Sequence, residues 1–364
     1  MSEPYVKTSG RWWQPDGFIE GSCVHDSRVQ AFEPGEVECD ALFLPAAVDL
    51  HVHGGGGHDV MDGEAAIRGM LTLHSAHGTG AALATSVTAP HADTEHFLEG
   101  VARVMAKPGE GEATLLGAHL EGPFINPAKL GAQPPFAVAP DAQRLERWFQ
   151  SGVVRVITFA PELDPDGAVL AACRRHGVRA QIGHTLCNWA EACTALDAGC
   201  GITHLYNAMS GFSHREGGTV TAALARAEYA EIITDGLHVD RAAFEAARRA
   251  LPGLYSVTDA TAAAGMPDGQ YALGSYTVEK RDGRVLLPDG TLAGSCLTQR
   301  ASLEVLRGWD LDWHAIGALT SVVPARWLGL TSVGRIGAGA LAHWLEVRLD
   351  EPVAIWRSGV RHAW

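Results

Sequence analysis

The sequence contains no CxxC pair and no long apolar run. Its seven cysteines form an odd set, which fits neither a disulfide framework nor a zinc knuckle, so we interpret them as reduced thiols. No stretch approaches the roughly 18 uninterrupted apolar residues of a membrane span. The amino terminus also lacks the basic start and apolar segment of a secretion signal. We therefore expect a cytoplasmic protein that has no membrane partner.

Basic residues are scarce as well. The 28 lysines and arginines face 42 aspartates and glutamates, which gives a formal net charge of -14, so electrostatics disfavour nucleic acid as a partner. Neither a GxxxxGK(S/T) loop nor a GxSxG elbow occurs, which argues against nucleotide phosphoryl transfer and against a serine hydrolase. With 46% hydrophobic and 19% charged residues, the composition is that of a compact globular protein. An anionic small substrate would need a local basic contact.

The middle of the chain repeats one pattern, in which a buried-strand run is followed by a turn and a segment with helical spacing. The predicted strands are residues 42–50, 81–89, 115–120, 153–159, 178–182, 201–205, 231–234 and 254–258. Helices are predicted between them at 141–150, 166–176, 188–198 and 240–250, each with a polar start. Eight such units predict a (β/α)8 TIM barrel with its site at the carboxyl ends of the strands.

Both chain ends lack this rhythm. Turn signals separate short β-like stretches there, and we predict that residues 1–43 and 332–364 form one small β-sandwich domain. The barrel, residues 44–331, is inserted between them. Residues 265–294 are rich in glycine and proline and are predicted to leave the barrel as a hairpin after the eighth strand. Leu292, at the far end of that hairpin, is a candidate for lining the substrate site.

Six candidate metal ligands lie at or just past the ends of short apolar runs: His51, His53, Glu121, His184, His204 and Asp259. A barrel of parallel strands assembles a metal site from distant parts of a chain in this way. His51 and His53 are two apart, so an extended strand points both imidazoles to one side. Taken singly, a packed histidine or an ion-paired carboxylate is the more common explanation, but the whole set predicts a metal centre. His119 is expected to pack or to support a ligand.

The positions also indicate roles. His184 and His204 would end neighbouring strands, so they can bind a second ion or share one with Glu121. We expect one or two divalent ions, with zinc as the first choice and iron, cobalt or manganese as alternatives that suit the same donors. Asp259 is the candidate general base, which would accept a proton from water and later deliver it to a leaving amine. His238 has no obvious metal partner and is placed to contact substrate.

The motifs resemble the amidohydrolase superfamily and, within it, the N-acetylglucosamine-6-phosphate deacetylase family. The resemblance runs from about residue 44 to 297 and rests on LPAAVDLHVHG, GAHLEGPFIN, IGHT, THLYNAM, ITDGLHV, VTDATAAAG and LAGSCLT. It implies hydrolysis of N-acetylglucosamine 6-phosphate to glucosamine 6-phosphate and acetate. It also implies a principal metal ion on Glu121, His184 and His204, and a second on His51 and His53 with Glu121.

The resemblance implies substrate contacts too. Asn207 and Ala208 would meet the phosphate end, through side chain and backbone, and His238 would contact the sugar or the carbonyl. Arg215 matches an arginine that reaches the phosphate from the neighbouring subunit, so a homodimer is expected. That arginine would supply the basic contact that an anionic substrate needs in so acidic a protein.

One departure from the family pattern concerns the substrate. Where the family usually reads Lys-Gly-Ala-His, residues 130–133 read Leu-Gly-Ala-Gln, so Gln133 replaces a substrate-contacting imidazole. An amide donates hydrogen bonds but carries no charge, which leaves the sugar, the acyl group and the phosphate open. The alternatives are an amidohydrolase of another acetamido sugar or N-acyl substrate, and a noncatalytic barrel that binds a ligand. The complete ligand set disfavours the second alternative.

Overall fold

The computed structural model describes residues 5–364, in which strands and helices alternate through a central region with further strands at both ends. The strands are β1 (Val6–Gln14), β2 (Gly17–His25), β3 (Val29–Pro34), β4 (Leu42–Pro45), β5 (Ala47–Asp49), β6 (Gly54–Gly55), β7 (His58–Asp59), β8 (Thr79–Ser86), β9 (Thr114–Glu121), β10 (Val154–Phe159), β11 (Arg179–Ile182), β12 (Gly201–Ile202), β13 (Tyr229–Ile233), β14 (Gly253–Val257), β15 (Gly269–Leu273), β16 (Tyr276–Arg281), β17 (Arg284–Leu286), β18 (Trp344–Arg348), β19 (Glu351–Arg357) and β20 (Val360–Ala363). The helices are α1 (Glu64–Ala76), α2 (His91–Ala106), α3 (Ala142–Gln150), α4 (Ala168–His176), α5 (Trp189–Asp197), α6 (Thr219–Arg226), α7 (Arg241–Ala250), α8 (Gln299–Gly308), α9 (Trp313–Gly317) and α10 (Val323–Trp327). Within this part of the chain, no helix combines the length and the apolar character needed to cross a bilayer.

Eight parallel strands form the barrel sheet. Their order is β14-β13-β12-β11-β10-β9-β8-β5, and every neighbouring pair is parallel. The two edge strands approach each other at the mouth, where Val52 bridges Ala260 and the Asp259 N–H donates to the His51 carbonyl at 2.9 Å. The predicted (β/α)8 barrel is confirmed, and each of the eight predicted strands has a counterpart in this sheet.

The helix starts follow from polar caps. The side chains of Asp141, Asn188 and Asp240 accept hydrogen bonds from the first-turn N–H groups of α3, α5 and α7, as N-cap residues do. The predicted acidic start of α4 at Asp166 is wrong. That helix begins two residues later, and the carboxylate that holds its first N–H groups belongs to Asp164.

Strands from both chain ends share a second sheet, which we call the end sheet. It has seven strands in the order β20-β19-β18-β4-β1-β2-β3, so the prediction that the two ends build one β unit is confirmed. Its core is aromatic, with Trp12 stacked on Phe43 at a centroid distance of 4.2 Å and edge-on to Trp344 at 5.0 Å, an arrangement that aromatic quadrupoles favour.

The prediction of a single strand over residues 42–50 is wrong. The chain leaves the end sheet after β4 and enters the barrel as β5.

Strands β15, β16 and β17 form a three-stranded antiparallel sheet above the barrel mouth. It corresponds to the hairpin predicted within residues 265–294. Its buried face joins Leu273 and Val278 to Val87 of the barrel in one apolar cluster. The buried Asp59 carboxylate accepts a hydrogen bond from the Gly274 N–H at 2.6 Å. The small sheet is therefore tied to the barrel rim by both apolar and polar contacts.

Candidate metal centre

Glu121 lies at the centre of four imidazoles. Its Oε1 is 3.0 Å from His184 Nε2 and 2.9 Å from His204 Nε2. His53 Nε2 is 3.3 Å from Oε2, and His51 Nε2 is 3.5 Å from Oε1. All five side chains are buried. They form two groups of ligand atoms, His51–His53–Glu121 and Glu121–His184–His204, each with its atoms within 4.8 Å of one another. Strand ends that are far apart in the sequence thus converge on one carboxylate.

The outer ring nitrogens of three of these histidines also have partners. His51 Nδ1 is 2.9 Å from a Glu231 carboxylate oxygen, and His53 Nδ1 is 2.9 Å from the Thr85 carbonyl. The Lys129 carbonyl likewise lies 2.8 Å from Nδ1 of His184. Because these acceptors take the proton on Nδ1, they leave the lone pair of Nε2 directed at the centre, as in histidines that bind metal.

The inner nitrogens are crowded in a way that suits a cation. The Nε2 atoms of His51 and His53 are 3.1 Å apart, and those of His184 and His204 are 3.0 Å apart. Two neutral imidazole lone pairs facing each other at this distance repel unless a proton or a metal ion lies between them. Imidazole and carboxylate donors are ligands for zinc and similar ions. The residues present therefore fit a divalent metal.

The charges of the site depend on one another. Burial by itself would lower the pKa of His51, but the carboxylates of Glu121, Glu231 and Asp259 raise it well above the ordinary value. The same balance raises the pKa of His53 to about 9. Burial would raise the pKa of Glu121, yet the surrounding imidazoles hold it well below its usual range. Several carboxylates thus share a buried space that favours positive charge, which is the electrostatic requirement of a cation site.

The backbone is strained at the same strand ends. His184, His204, Ala208 and Asp259 have positive φ angles of 49°, 27°, 48° and 49°. The left-handed conformation costs an L-residue about 1–2 kcal/mol, and a glycine would avoid that cost. Strain of this kind concentrates where a side chain is needed for function.

The centre opens into a cavity of about 390 Å³. Of the metal-ligand candidates, His53, Glu121, His184, His204 and Asp259 reach its lining, whereas His51 lies fully buried behind them. The predicted substrate contacts that line it are Gln133, Asn207, Ala208, His238 and Leu292. Arg215 is exposed and does not belong to this lining.

Sequence reasoning missed three residues. Glu231, fully buried in β13, meets His51 and accepts a hydrogen bond from the His204 N–H at 3.2 Å. Asp235 accepts a hydrogen bond from Nδ1 of His238 at 2.7 Å. Lys129 is the basic residue among the cavity-lining residues that the structure describes. A carboxylate inside the apolar run AEIIT was the available signal for Glu231, because a buried charge requires a partner.

Residues 42–356 match the model of the amidohydrolase family. The chain belongs to the amidohydrolase family. Membership confirms the resemblance that the strand-end motifs indicate. The barrel of this chain carries three groups of residues that could hold a metal ion, two of which share Glu121, and amidohydrolases generally use divalent metals.

Individual amidohydrolases are similar over most of the chain. N-acetylglucosamine-6-phosphate deacetylase of Bacillus subtilis (strain 168) is 35% identical over 330 residues, which cover 86% of this chain and 83% of that protein. N-acetylgalactosamine-6-phosphate deacetylase of Escherichia coli O157:H7 is 36% identical over 322 residues, 85% of each chain. A solved structure of a mutant N-acetyl-D-glucosamine-6-phosphate deacetylase from Mycobacterium smegmatis, in complex with N-acetyl-D-glucosamine-6-phosphate, matches with a TM-score of 0.90 and 29% identity over 99% of both chains. These relatives differ in the sugar that their names specify but share the reaction.

Proposed function

We propose that this amidohydrolase removes the acetyl group from N-acetylglucosamine 6-phosphate and releases glucosamine 6-phosphate and acetate. The observation that carries the proposal is the meeting of Glu121 with two imidazole pairs beside Asp259, at the floor of a cavity of about 390 Å³. The names of the relatives support the substrate class. A cytoplasmic location and a homodimeric assembly belong to the same proposal.

Two groups of side chains would hold metal. Glu121, His184 and His204 would bind the principal ion, and His51 and His53 with Glu121 a second. Zinc is the first candidate, while iron, cobalt and manganese suit the same donors. When bound, such an ion lowers the pKa of a water molecule and polarises a carbonyl.

Asp259 would move the proton. Burial would raise its pKa, but His51 and His53 lower it to about 2, so the carboxylate is ionised at neutral pH and can accept a proton. Its side chain lines the cavity, and its Oδ1 lies 3.2 Å from His53 Nε2. A general base in this position takes the proton of the attacking water and, as an acid, gives it to the amine that leaves.

His238 would act as a donor to the sugar or the acyl carbonyl. Burial lowers its pKa, but the hydrogen bond to Asp235 and the charges of Asp235 and Asp259 outweigh that effect, so the pKa is raised. An imidazole protonated on both nitrogens offers Nε2–H to the cavity while Nδ1–H is held by Asp235. Asp235 is in this proposal a positioning residue that keeps His238 charged and oriented.

Asp235→Asn is expected to move the alkaline limb of the kcat/KM profile to lower pH. A raised pKa keeps His238 protonated until the pH passes that raised value, and loss of the carboxylate charge lowers the pKa, so the proton is lost earlier. The profile of acetate release against pH measures the shift. Asp310→Asn, on an exposed carboxylate that pairs with Arg241, is the matched control. A profile with an unmoved alkaline limb would contradict a charged donor at His238.

The phosphate end would lie near Asn207 and Ala208. Lys129 lines the same cavity and supplies a basic group from the same chain. Arg215 is exposed, as expected of a side chain that contacts the phosphate of a neighbouring subunit. Charge-assisted hydrogen bonds to phosphate oxygens are among the strong ones, so these contacts would make the phosphate a major source of binding energy.

N-acetylglucosamine 6-phosphate is expected to be hydrolysed with a kcat/KM about 10²- to 10⁴-fold above that of N-acetylglucosamine, because two charge-assisted hydrogen bonds at about 1.5–3 kcal/mol each are lost with the phosphate. Acetate release from both sugars measures the ratio, and N-acetylgalactosamine 6-phosphate tests the choice of hexosamine. Arg215→Met should shrink the phosphate preference, whereas Arg249→Met, at another exposed arginine, should not. Equal rates on the two glucosamine sugars would refute the phosphate contacts.

A further inference from the structure

Both polar ends of the Gln133 side chain are held inside the protein. The residue is 5% exposed, and its Oε1 accepts a hydrogen bond from the Thr88 backbone N–H at 2.6 Å. Its Nε2 donates to Oε2 of Glu121. The orientation of the amide is fixed, because a backbone N–H only donates and a carboxylate only accepts. Gln133 therefore directs an N–H group at the carboxylate shared by both metal groups.

The two oxygens of Glu121 are consequently unequal. Oε1 faces His184 and His204 at 3.0 and 2.9 Å, lies 3.5 Å from His51 Nε2, and has no bond to Gln133. Oε2 faces His53 at 3.3 Å and also accepts the amide proton. A hydrogen bond to a charged oxygen occupies one of its lone pairs and withdraws electron density from the others. Oε2 is thus the poorer metal ligand of the pair.

We propose that Gln133 is a positioning residue that makes the two metal groups unequal in affinity. By holding Oε2, it fixes the carboxylate plane with Oε1 directed at His184 and His204, so the ion at that group binds tightly. In the other group, His53 faces Oε2, which the amide already engages, and His51 lies 3.5 Å from Oε1, which is already directed at His184 and His204. An ion in that group therefore binds more weakly. This inference rests on the metal centre of the proposed function.

The amide has a property that an imidazole at this position would lack. The amide does not titrate near neutral pH, so its hydrogen bond to Glu121 is the same across the physiological pH range. Gln133 also lines the cavity, and its amide has a second N–H beside the one donated to Glu121, so this role is compatible with the predicted substrate contact of Gln133.

The test is a Zn²⁺ titration of the metal-free protein in competition with a chromophoric chelator, which resolves two dissociation constants. The wild type should bind the first ion at least tenfold more tightly than the second. Gln133→Met keeps the size of the side chain and removes both hydrogen bonds. The ratio of the two dissociation constants should then fall by about tenfold or more. Residues that hydrogen-bond to a metal ligand typically change metal affinity on this scale. Gln143→Met makes the same chemical change on the exposed surface of α3 and should leave the ratio unchanged.

Gln133→Asn is a second variant that stays polar but is one methylene too short to join Thr88 to Glu121. It should narrow the ratio as well, while the melting temperature of each metal-free variant reports whether the barrel is intact. A ratio that stays the same in both variants, or two constants that weaken by one common factor, would overturn the inference and leave the metal centre in place. A wild type with two equal sites would overturn it too. Absence of Zn²⁺ binding in all of the proteins would instead refute the proposed function.

Discussion

Asp259→Asn is expected to lower kcat for acetate release by about 10²- to 10⁴-fold, the contribution usual for a positioned general acid and base. Asparagine has nearly the same shape but cannot accept the proton from water at neutral pH. Glu121, His184 and His204 remain in place, so the content of tightly bound metal should stay close to that of the wild type. Steady-state kinetics and elemental analysis of the same preparation measure the two quantities.

A second aspartate variant, Asp164→Asn, tests whether the loss of kcat is specific to Asp259. Asp164 is also largely buried, but it holds the first turn of α4 away from the cavity. Asp164→Asn should cost stability and leave kcat near the wild-type value. Activity of Asp259→Asn within about tenfold of the wild type, well short of the loss expected for a proton-transfer group, would remove this residue from the mechanism.

Glu121→Gln is expected to reduce activity by about 10³-fold or more, because stabilisation worth several kcal/mol depends on the ions that this carboxylate would share. The substitution keeps the shape of the side chain but removes the negative charge that contacts all four imidazoles. The metal content of both groups should fall, because Glu121 belongs to each of them. Wild-type protein stripped by a chelator should show the same loss and recover activity when zinc is returned.

Thermal unfolding gives an independent readout of the same prediction. A ligand present at about 100 times its dissociation constant stabilises the folded state by about 2.7 kcal/mol, so zinc should raise the melting temperature of the wild type but not that of Glu121→Gln. Glu346→Gln is the matched control, since Glu346 is a buried carboxylate of the end sheet that accepts hydrogen bonds from Arg348 and Arg361. That variant should be less stable yet retain its zinc-dependent shift. A zinc shift in Glu121→Gln equal to that of the wild type would contradict the assignment.

Much of this architecture could be predicted from local patterns. The apolar runs of the barrel strands are short and end in polar residues, and the topology of a parallel barrel places all of those ends at one rim. His51, Glu121, His184 and Asp259 could therefore be predicted as neighbours although they belong to different strands. Helix starts such as Asp141 could be predicted because a cap acts within three residues of the chain.

Contacts that depend on packing between distant segments could not be predicted. Glu231 meets His51 across 180 positions, and nothing near either residue encodes that meeting. The hydrogen bond from Gln133 to Glu121 likewise depends on the position of the loop that carries Gln133. The strand predicted over 42–50 failed for a related reason. Its residues are apolar except for Asp49, and hydrophobicity alone does not mark the point where the chain passes from one sheet to the other.

The end sheet has a consequence for biosynthesis. Strand β4 has β1 on one side and β18 on the other, and about 300 residues separate the earliest strands from β18. During translation, β1 to β4 emerge about 300 residues before β18, so the β18 side of β4 stays uncovered until β18 has left the ribosome. An open strand edge invites pairing with other chains. We therefore expect nascent chains stalled before β18 to be held by chaperones or to aggregate, even when the barrel portion has already been made.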